Sequence, residues 1–245
     1  MDFLNALILL LNYIFVPALA YGSQLAIGAI FVTLIYGILR FANFATGDMM
    51  SFGTMVAILF TWYFQSVGLS LGFLPTALLA IPFAIMFMGL YMLIIDKFVF
   101  KYYRLNKSPP VQLAMVSIGV MFVTQAVVRI IIGPSDRRFF DGEKFLIKAN
   151  EFKEMTGLNE GLAIKSTQVI TIVVTLILVS TLFWFLNKTK TGKSMRAYSD
   201  NEDLALLSGI DPKKIVMITW MIAAILATIG GVLYGLDKSF KPFTY

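Results

Sequence analysis

Few side chains in this sequence could carry out chemistry. The chain has no cysteine and no histidine, which excludes disulfides, thiolate nucleophiles and imidazole as a general base or metal ligand. The most isolated carboxylate is Asp48, which follows seven uncharged residues after Arg40 and precedes 47 more. No second carboxylate in the apolar sequence can pair with it. The sequence therefore predicts no catalytic residue, no metal site and no enzyme.

Asp48 belongs to a short polar motif with Asn43, Phe44 and Gly47. One interpretation is an interfacial loop, in which Asp48 caps the next helix and Asn43 satisfies free backbone groups. The other is irregular backbone that lines a translocation pathway or gate, with Gly47 permitting a tight turn. Arg129, the only charge near the end of a later apolar stretch, is interpreted as a side chain that extends to the interface.

The elements that must position this motif are apolar. Hydrophobic residues make up 58% of the chain and charged residues only 14%, against about 25% charged in ordinary globular domains. All 34 charges fall outside five stretches that total 149 residues, at 3–39, 49–95, 108–128, 166–187 and 215–236. A charge at the centre of a bilayer costs roughly 2.5 to 3.5 kcal/mol. The segregation predicts a polytopic membrane protein in contact with lipid.

The stretches predict an all-α bundle of about seven spans. One span needs about 20 apolar residues, so the stretches at 3–39 and 49–95 must fold back. We expect the breaks at 17–24, where proline, glycine and polar residues interrupt the apolar run, and at 65–68. The predicted spans are 3–20, 22–39, 49–65, 71–95, 111–132, 167–186 and 215–236.

Lysine and arginine in the loops predict the orientation. The loops at 96–110 and 187–214 are rich in basic residues and are expected in the cytoplasm. The loop at 133–165 carries six basic and six acidic residues and is expected outside. Parity then puts the N-terminus in the cytoplasm. The net charge of +6 is explained by the basic loops that fix the orientation in the membrane, and not by binding of nucleic acid.

The loop at 187–214 carries signals for a short helix. Ser199 followed by Glu202 fits a capping box, Gly209 suits a left-handed residue after a helix, and Asp211 before a proline suits the start of the next helix. The predicted helix has roughly nine residues, too few for stability in water without packing. It either packs on its own bundle or docks its leucines on a partner.

Two motifs carry a resemblance to a family. GKSMRA at 192–197 followed by DNEDLALLSGIDP at 200–212 looks like the cytoplasmic loop of the H-type permease subunits of bacterial ABC importers for branched-chain amino acids. YGI at 36–38 with NFATGD at 43–48 resembles the signature of that family after its early hairpin. The resemblance does not separate branched-chain amino acids from urea or short amides. The family has histidine where this chain has Thr46, so no role of an imidazole is carried over.

The resemblance implies a single permease domain over 1–245, in the bacterial inner membrane, that forms the translocation pathway. Its partners would be two ATP-binding subunits, a second permease subunit and an external substrate-binding protein. The chain itself would bind no cofactor, because it lacks the phosphate-binding motif G-x-x-x-x-G-K-[ST], and the ATP is used by the partner. The residues implied in docking on the ATPase are Arg196, Glu202, Asp203, Leu204, Leu207 and Gly209.

Two other classes stay open at this point. An ion-coupled secondary transporter is expected to bury several ionisable groups at mid-membrane, and only Asp48 lies near that depth in the predicted spans. An intramembrane enzyme would have to work without histidine or cysteine. Because the H-type permeases continue through further helices, we expect the chain to be truncated at its C-terminus.

Overall fold

The computed structural model describes residues 2–69, 71–72, 74–139, 145–157 and 160–241. These residues form a helical bundle, which confirms the predicted fold class, with one small antiparallel sheet in the segment at 133–165. The elements are α1 Asp2–Leu10, α2 Val16–Leu39, α3 Thr46–Ser66, α4 Ala77–Ile95, α5 Lys101–Leu105, α6 Pro110–Ile132, β1 Phe145–Ile147, α7 Ala149–Thr156, β2 Ile164–Lys165, α8 Ser166–Lys188, α9 Lys190–Asp200, α10 Glu202–Leu207 and α11 Pro212–Lys238. We call the end of the bundle that carries α9 and α10 the α10 end, and the opposite end the sheet end.

Five helices in the described residues are long and apolar enough to cross a membrane. They are Phe3–Leu39, Ala77–Leu105, Pro110–Ile132, Ser166–Lys188 and Pro212–Lys238. The helix α3 has 21 residues but is less apolar, because it carries Asp48, Ser51 and several threonines. The predicted number of seven spans is therefore not confirmed.

The first difference lies at 17–24, where the predicted break is absent and one helix runs through. A π-helical turn, Leu11–Phe15, joins α1 to α2, and the Val16 N–H bonds to the Leu11 carbonyl. Proline within an α-helix normally clashes with the carbonyl four residues before it. The wider π turn directly before Pro17 provides the room that proline needs. The helix therefore continues.

The continuous first helix replaces two predicted spans by one and so changes the number of crossings. The side chain of Asn12 donates to the Gly161 carbonyl at 3.4 Å and accepts from the Ala163 N–H at 3.3 Å, so this part of the helix lies at the sheet end. Arg40, just after the same helix, donates to the Asp200 carbonyl at 3.2 Å, at the α10 end. The helix crosses the bundle once. The part of this helix around Asn12 and the segment at 187–214 therefore lie at opposite ends of the bundle.

The second predicted break is confirmed, although the next helix begins later than expected. The helix α3 ends at Ser66, and Gly68 follows with φ of 80°. The Leu69 N–H then bonds to the Phe64 carbonyl, which closes a helix end of the kind that favours glycine. The helix α4 begins at Ala77 and not at 71.

The centre of the bundle is α11, which packs on α2, α3 and α4. Several of its buried residues are glycine or alanine. A Cβ at Gly231 would meet the Thr54 hydroxyl and would lie 2.7 Å from the Met50 carbonyl oxygen. Between helices in a membrane there is no hydrophobic driving force, and small residues stabilise packing because they let the backbones approach closely. The seam between α3 and α11 therefore depends on glycine.

Candidate coupling element and membrane-embedded polar site

The short helix α10 is capped differently from the prediction. Ser199 lies within α9, which runs through Asp200, so it cannot be the N-cap. Asn201 is the N-cap, and its Oδ1 accepts from the Leu204 N–H at 3.0 Å. The helix has six residues instead of about nine. The prediction failed because the helical hydrogen bonding of α9 continues past the serine.

The other end of α10 has the predicted local structure. Gly209 has φ of 80° and donates its N–H to the Leu206 carbonyl, while the Ile210 N–H bonds to the Ala205 carbonyl. These two bonds satisfy carbonyls that the helix leaves without partners. Asp211 caps α11 by accepting from the Lys213 N–H at 2.9 Å. The turn between α10 and α11 is therefore held at both sides.

The outer surface of α10 is apolar and exposed. The exposed fraction is 61% for Leu204 and 86% for Leu207, whereas Ala205 is buried. Glu202 and Asp203 are exposed in the first turn. Packing of the helix on its own bundle is thus limited to the alanine side. The two leucines are therefore exposed at the α10 end.

The helix α9 is fastened to the last turn of α2. The Ser199 hydroxyl donates to the Gly37 carbonyl at 2.5 Å, and Arg40 donates to the Asp200 carbonyl at 3.2 Å. Met195 is fully buried and belongs to the apolar core of the bundle. A movement of α9 must therefore carry the end of α2 with it.

Two of the six predicted docking residues have side chains that form hydrogen bonds within the chain. Arg196 donates to the Asn187 side chain at 2.9 Å. Glu202 accepts from the Tyr198 hydroxyl at 2.9 Å. Burial raises the pKa of Tyr198, and the hydrogen bond and charge of Glu202 raise it further. The phenol therefore stays protonated at neutral pH and remains a donor to the carboxylate.

Gly192 sets the angle between α8 and α9. The Thr189 hydroxyl caps α9 by accepting from the Gly192 N–H at 3.0 Å. A Cβ at this glycine would overlap the Phe185 carbonyl oxygen and the backbone of Leu186. Only glycine lets the two helices meet this closely.

An ion pair that the sequence did not predict lies beside α9. Asp96 accepts two bonds from Arg104, at 2.6 and 2.9 Å, and a third from the Trp220 indole at 2.7 Å. The ring of Phe100 stacks on that of Trp220, with 5.6 Å between the ring centroids, and packs at a tilt on that of Phe41, with 5.0 Å between the centroids. This network joins the π-helical turn after α4, together with α5 and α11, to Phe41, which directly follows Arg40. The π-helical turn Asp96–Phe100, which the sequence does not signal, creates the geometry.

The segment between α2 and α3 packs on α6 below the α10 end of the bundle. The Asn43 Oδ1 accepts from the Ala45 N–H at 3.1 Å, and the Ser117 hydroxyl accepts from the Phe44 N–H at 2.9 Å. Pro110, where α6 begins, shares a cavity at the α10 end with Arg40. Ser117 is about 10 Å further along that helix at 1.5 Å per residue. The helix α3 therefore starts within the bundle and not at its surface.

Asp48 is in the first turn of α3 and has partners from α6. Gln125 and Arg129 of that helix lie near its carboxylate. Gln125 in turn accepts from Arg129 at 3.3 Å. The expected extension of Arg129 to an interface is wrong, since its side chain turns toward this group. The predicted tight turn at Gly47 is also wrong, because that glycine is an ordinary residue of the helix.

The sequence could not predict this grouping. Asp48 and Gln125 are far apart in the chain, and no helical or strand spacing connects them. Tyr91 completes the surroundings: it lies close to Asp48, and its hydroxyl is 2.7 Å from that of Thr124. The weak signal available was that Gln125 and Arg129 are four residues apart, which puts them on one face of a helix.

A bundle of long apolar helices with charged groups inside its depth is the architecture of a membrane transport protein. The chain matches the family described as "Branched-chain amino acid transport system / permease component" over residues 14–244. It belongs to that family, and its multi-pass membrane architecture agrees with the resemblance noted in its motifs.

Individual relatives are similar over most of the chain. The high-affinity branched-chain amino acid transport system permease protein LivH of Escherichia coli K12 is 27% identical over 218 residues, which are 87% of this chain and 67% of the relative. The permease protein BraD of Pseudomonas aeruginosa is 26% identical over 91% of this chain and 70% of its own length. A probable LivH of Methanocaldococcus jannaschii is 26% identical over 93% of this chain and 67% of its own. No solved structure matches the chain.

Proposed function

We propose that this chain is the transmembrane permease subunit of an ATP-driven ABC importer for branched-chain amino acids in the bacterial inner membrane. The observation that carries the proposal is the family match over 14–244. The exposed leucines of α10 and the polar site at the start of α3 supply the two parts that such a subunit needs. One part receives force and the other meets the substrate.

The docking part is α10. Leu204 and Leu207 enter an apolar groove of the ATP-binding subunit, and Asp203 lies at the rim. Gly209 holds the turn that presents the helix. Exposed apolar anchors with a charged rim are the usual make-up of a binding hot spot.

Arg196 and Glu202 support the docking part from within. Arg196 binds Asn187 on α8, and Glu202 binds Tyr198 on α9. Both side chains therefore fix the path of the loop before any partner is bound. Loop residues that are ordered in advance lower the entropy cost of association.

Force then passes from α10 to the polar site. The chain of contacts runs from α9 through the bond between Ser199 and Gly37 to the end of α2. Directly beyond it lie Asn43 and Phe44, held against α6 by Ser117, and then Asp48. Closure of the ATPase subunits shifts the population between two arrangements of these elements. Asn43, Phe44, Gly47 and Asp48 form the gate in this mechanism.

The full transporter contains two ATP-binding subunits, a second permease subunit and an external substrate-binding protein. ATP is used by the ATP-binding subunits, and this chain supplies neither catalysis nor a cofactor site. The basic segment at 187–214 faces the cytoplasm, and 133–165 faces outward. Because the first helix crosses only once, the N-terminus then lies outside.

Reconstitution tests the proposal. The chain is expressed with the ATP-binding, permease and binding-protein genes beside it and placed in proteoliposomes. We expect leucine uptake that needs both ATP and the binding protein. Leucine uptake by this chain alone, driven by a proton or sodium gradient, would overturn the proposal in favour of a secondary transporter.

A further inference from the structure

The group of Asp48, Gln125 and Arg129 lies at the depth of the lipid chains. Tyr91, which is close to Asp48, lies in the apolar part of the helix Ala77–Leu105, between Ala77 and the first charged residue, Asp96. At 1.5 Å per residue, Ala77 is about 21 Å away and Asp96 about 7.5 Å away. Charges at such a depth belong to a protein interior or a water-filled pathway.

The same group is not enclosed by its own chain. Asp48, Gln125 and Arg129 are each only partly buried, and among the helices packed on α6 in the described residues, α3 makes the main contact. Lipid offers no hydrogen bonds to a carboxylate or a guanidinium. The face of α3 and α6 that carries these groups therefore borders a pathway and not the bilayer.

The arrangement of charges matches a zwitterion. The acidic Asp48 on α3 and the basic Arg129 on α6 lie on helices that pack together, and Arg129 donates to Gln125 at 3.3 Å. Tyr91 links the two helices: its ring stacks on Phe52, one turn after Asp48, and its hydroxyl is 2.7 Å from that of Thr124, next to Gln125. An amino acid carries an ammonium and a carboxylate on one carbon, so each end can meet the opposite charge here. We propose, on the basis of the function proposed above, that Asp48 binds the α-ammonium and Arg129 the α-carboxylate of the amino acid during translocation.

Apolar side chains flank these charges. Phe122 precedes Gln125 by one helical turn and is 61% exposed. Phe44, 57% exposed, is fixed through its backbone to Ser117 on the same helix. Aromatic surface next to the charged pair is where a branched aliphatic side chain can be placed. The site takes a zwitterion with an apolar side chain.

The test is competition for labelled leucine on the assembled transporter in nanodiscs, without the binding protein. The competitors are leucine, leucinamide, which lacks the carboxylate, and 4-methylpentanoate, which lacks the ammonium. For the unchanged transporter we expect leucine to compete at about tenfold lower concentration, or less, than either analogue, since each analogue loses one charge-assisted contact.

The variants separate the two contacts. Arg129→Gln should lose the preference for leucine over leucinamide and keep that over 4-methylpentanoate, and Asp48→Asn should do the reverse. Arg138→Gln is the control, because it makes the same charge change at an exposed residue at the sheet end. If the Arg129→Gln variant does not assemble, Arg129→Lys is the deciding variant. It should lose part of the preference for leucine over leucinamide, because lysine lacks the planar guanidinium that binds a carboxylate through two hydrogen bonds.

Unchanged preferences in the Arg129 and Asp48 variants would overturn the assignment, as would absence of saturable leucine binding to a transporter that takes up leucine. Uptake is measured on the same preparation. A transporter that binds leucine with these preferences but has no ATP-dependent uptake would contradict the proposed function instead. The two failures are therefore distinguishable.

Discussion

The hydroxyl of Ser199 donates to the backbone carbonyl of Gly37 at 2.5 Å. Gly37 is in the last turn of α2, where carbonyls have no partner within the helix. A side chain of α9 thus donates a hydrogen bond to a carbonyl that α2 leaves unpaired, a few residues before the polar segment that leads to Asp48. The bond connects α9, next to the proposed docking helix α10, to the end of α2.

Removing this bond should separate ATP hydrolysis from transport. Ser199→Ala loses one hydrogen bond worth about 1 kcal/mol, so we expect less leucine uptake per ATP hydrolysed in proteoliposomes. The matched control is Ser194→Ala, because the Ser194 hydroxyl bonds only within α9, to the Lys190 carbonyl at 3.0 Å. Equal ratios of uptake to hydrolysis in both variants would show that the bond transmits nothing.

A methyl group at Gly192 should displace α9. Gly192→Ala puts a Cβ into the backbone of Phe185 and Leu186, and overpacking of this kind costs about 1 to 3 kcal/mol. We expect a lower Tm of the purified chain. Gly119→Ala is the comparison, since nothing lies within 4 Å of a Cβ at that helical glycine. The prediction is wrong if the two variants melt together.

The partly buried pair of Asp96 and Arg104 should contribute to stability. The side chains are 14% and 21% exposed, so removing Asp96 should cost more than breaking an exposed pair but less than the roughly 3 to 5 kcal/mol of a fully buried one. Asp96→Ala should therefore lower the Tm much more than Glu151→Ala, which breaks the exposed pair with Lys148 and costs under about 1 kcal/mol. Similar melting of the two variants would contradict this difference.

Tyr198 should make stability depend on pH only in the alkaline range. Its pKa is raised by burial and by Glu202, so the phenol contributes fully below the ordinary tyrosine pKa of about 10. The contribution falls as pH rises from there toward the raised pKa. The Tm difference between the unchanged chain and Tyr198→Phe should be constant from neutral pH to about 9 and shrink above about 10. A change in this Tm difference between neutral pH and about 9 would show that ionisation of the Tyr198 phenol is not its cause.

Local signals predicted the end of α10 and the start of α11 correctly, but not the start of α10 or of α4. The turn after α10 was readable because Gly209 and Asp211 act on backbone groups within a few residues of themselves. The failure at 17–24 has an equally local cause, since a π-helical turn accommodates Pro17 and gives no sign in the sequence. One missed turn was enough to make one continuous helix of two predicted spans.

Long-range pairing was beyond the sequence. Asp48 was singled out by its isolation, but its partners on α6 are brought to it only by the packing of α3 on that helix. Asp96 likewise meets Trp220 through the fold, at 2.7 Å. Electrostatic partners across helices depend on which faces meet, and one apolar helix face is much like another in sequence.

Docking through α10 is tested most directly by co-purification with the ATP-binding subunit. The double variant Leu204→Asp and Leu207→Asp changes only exposed side chains and should lose the ATP-binding subunit from the detergent-solubilised complex. Leu105→Asp, at a leucine that is 69% exposed at the end of α5, should retain it. Retention of the ATP-binding subunit by the double variant, at the level of the Leu105 control, would contradict docking through α10.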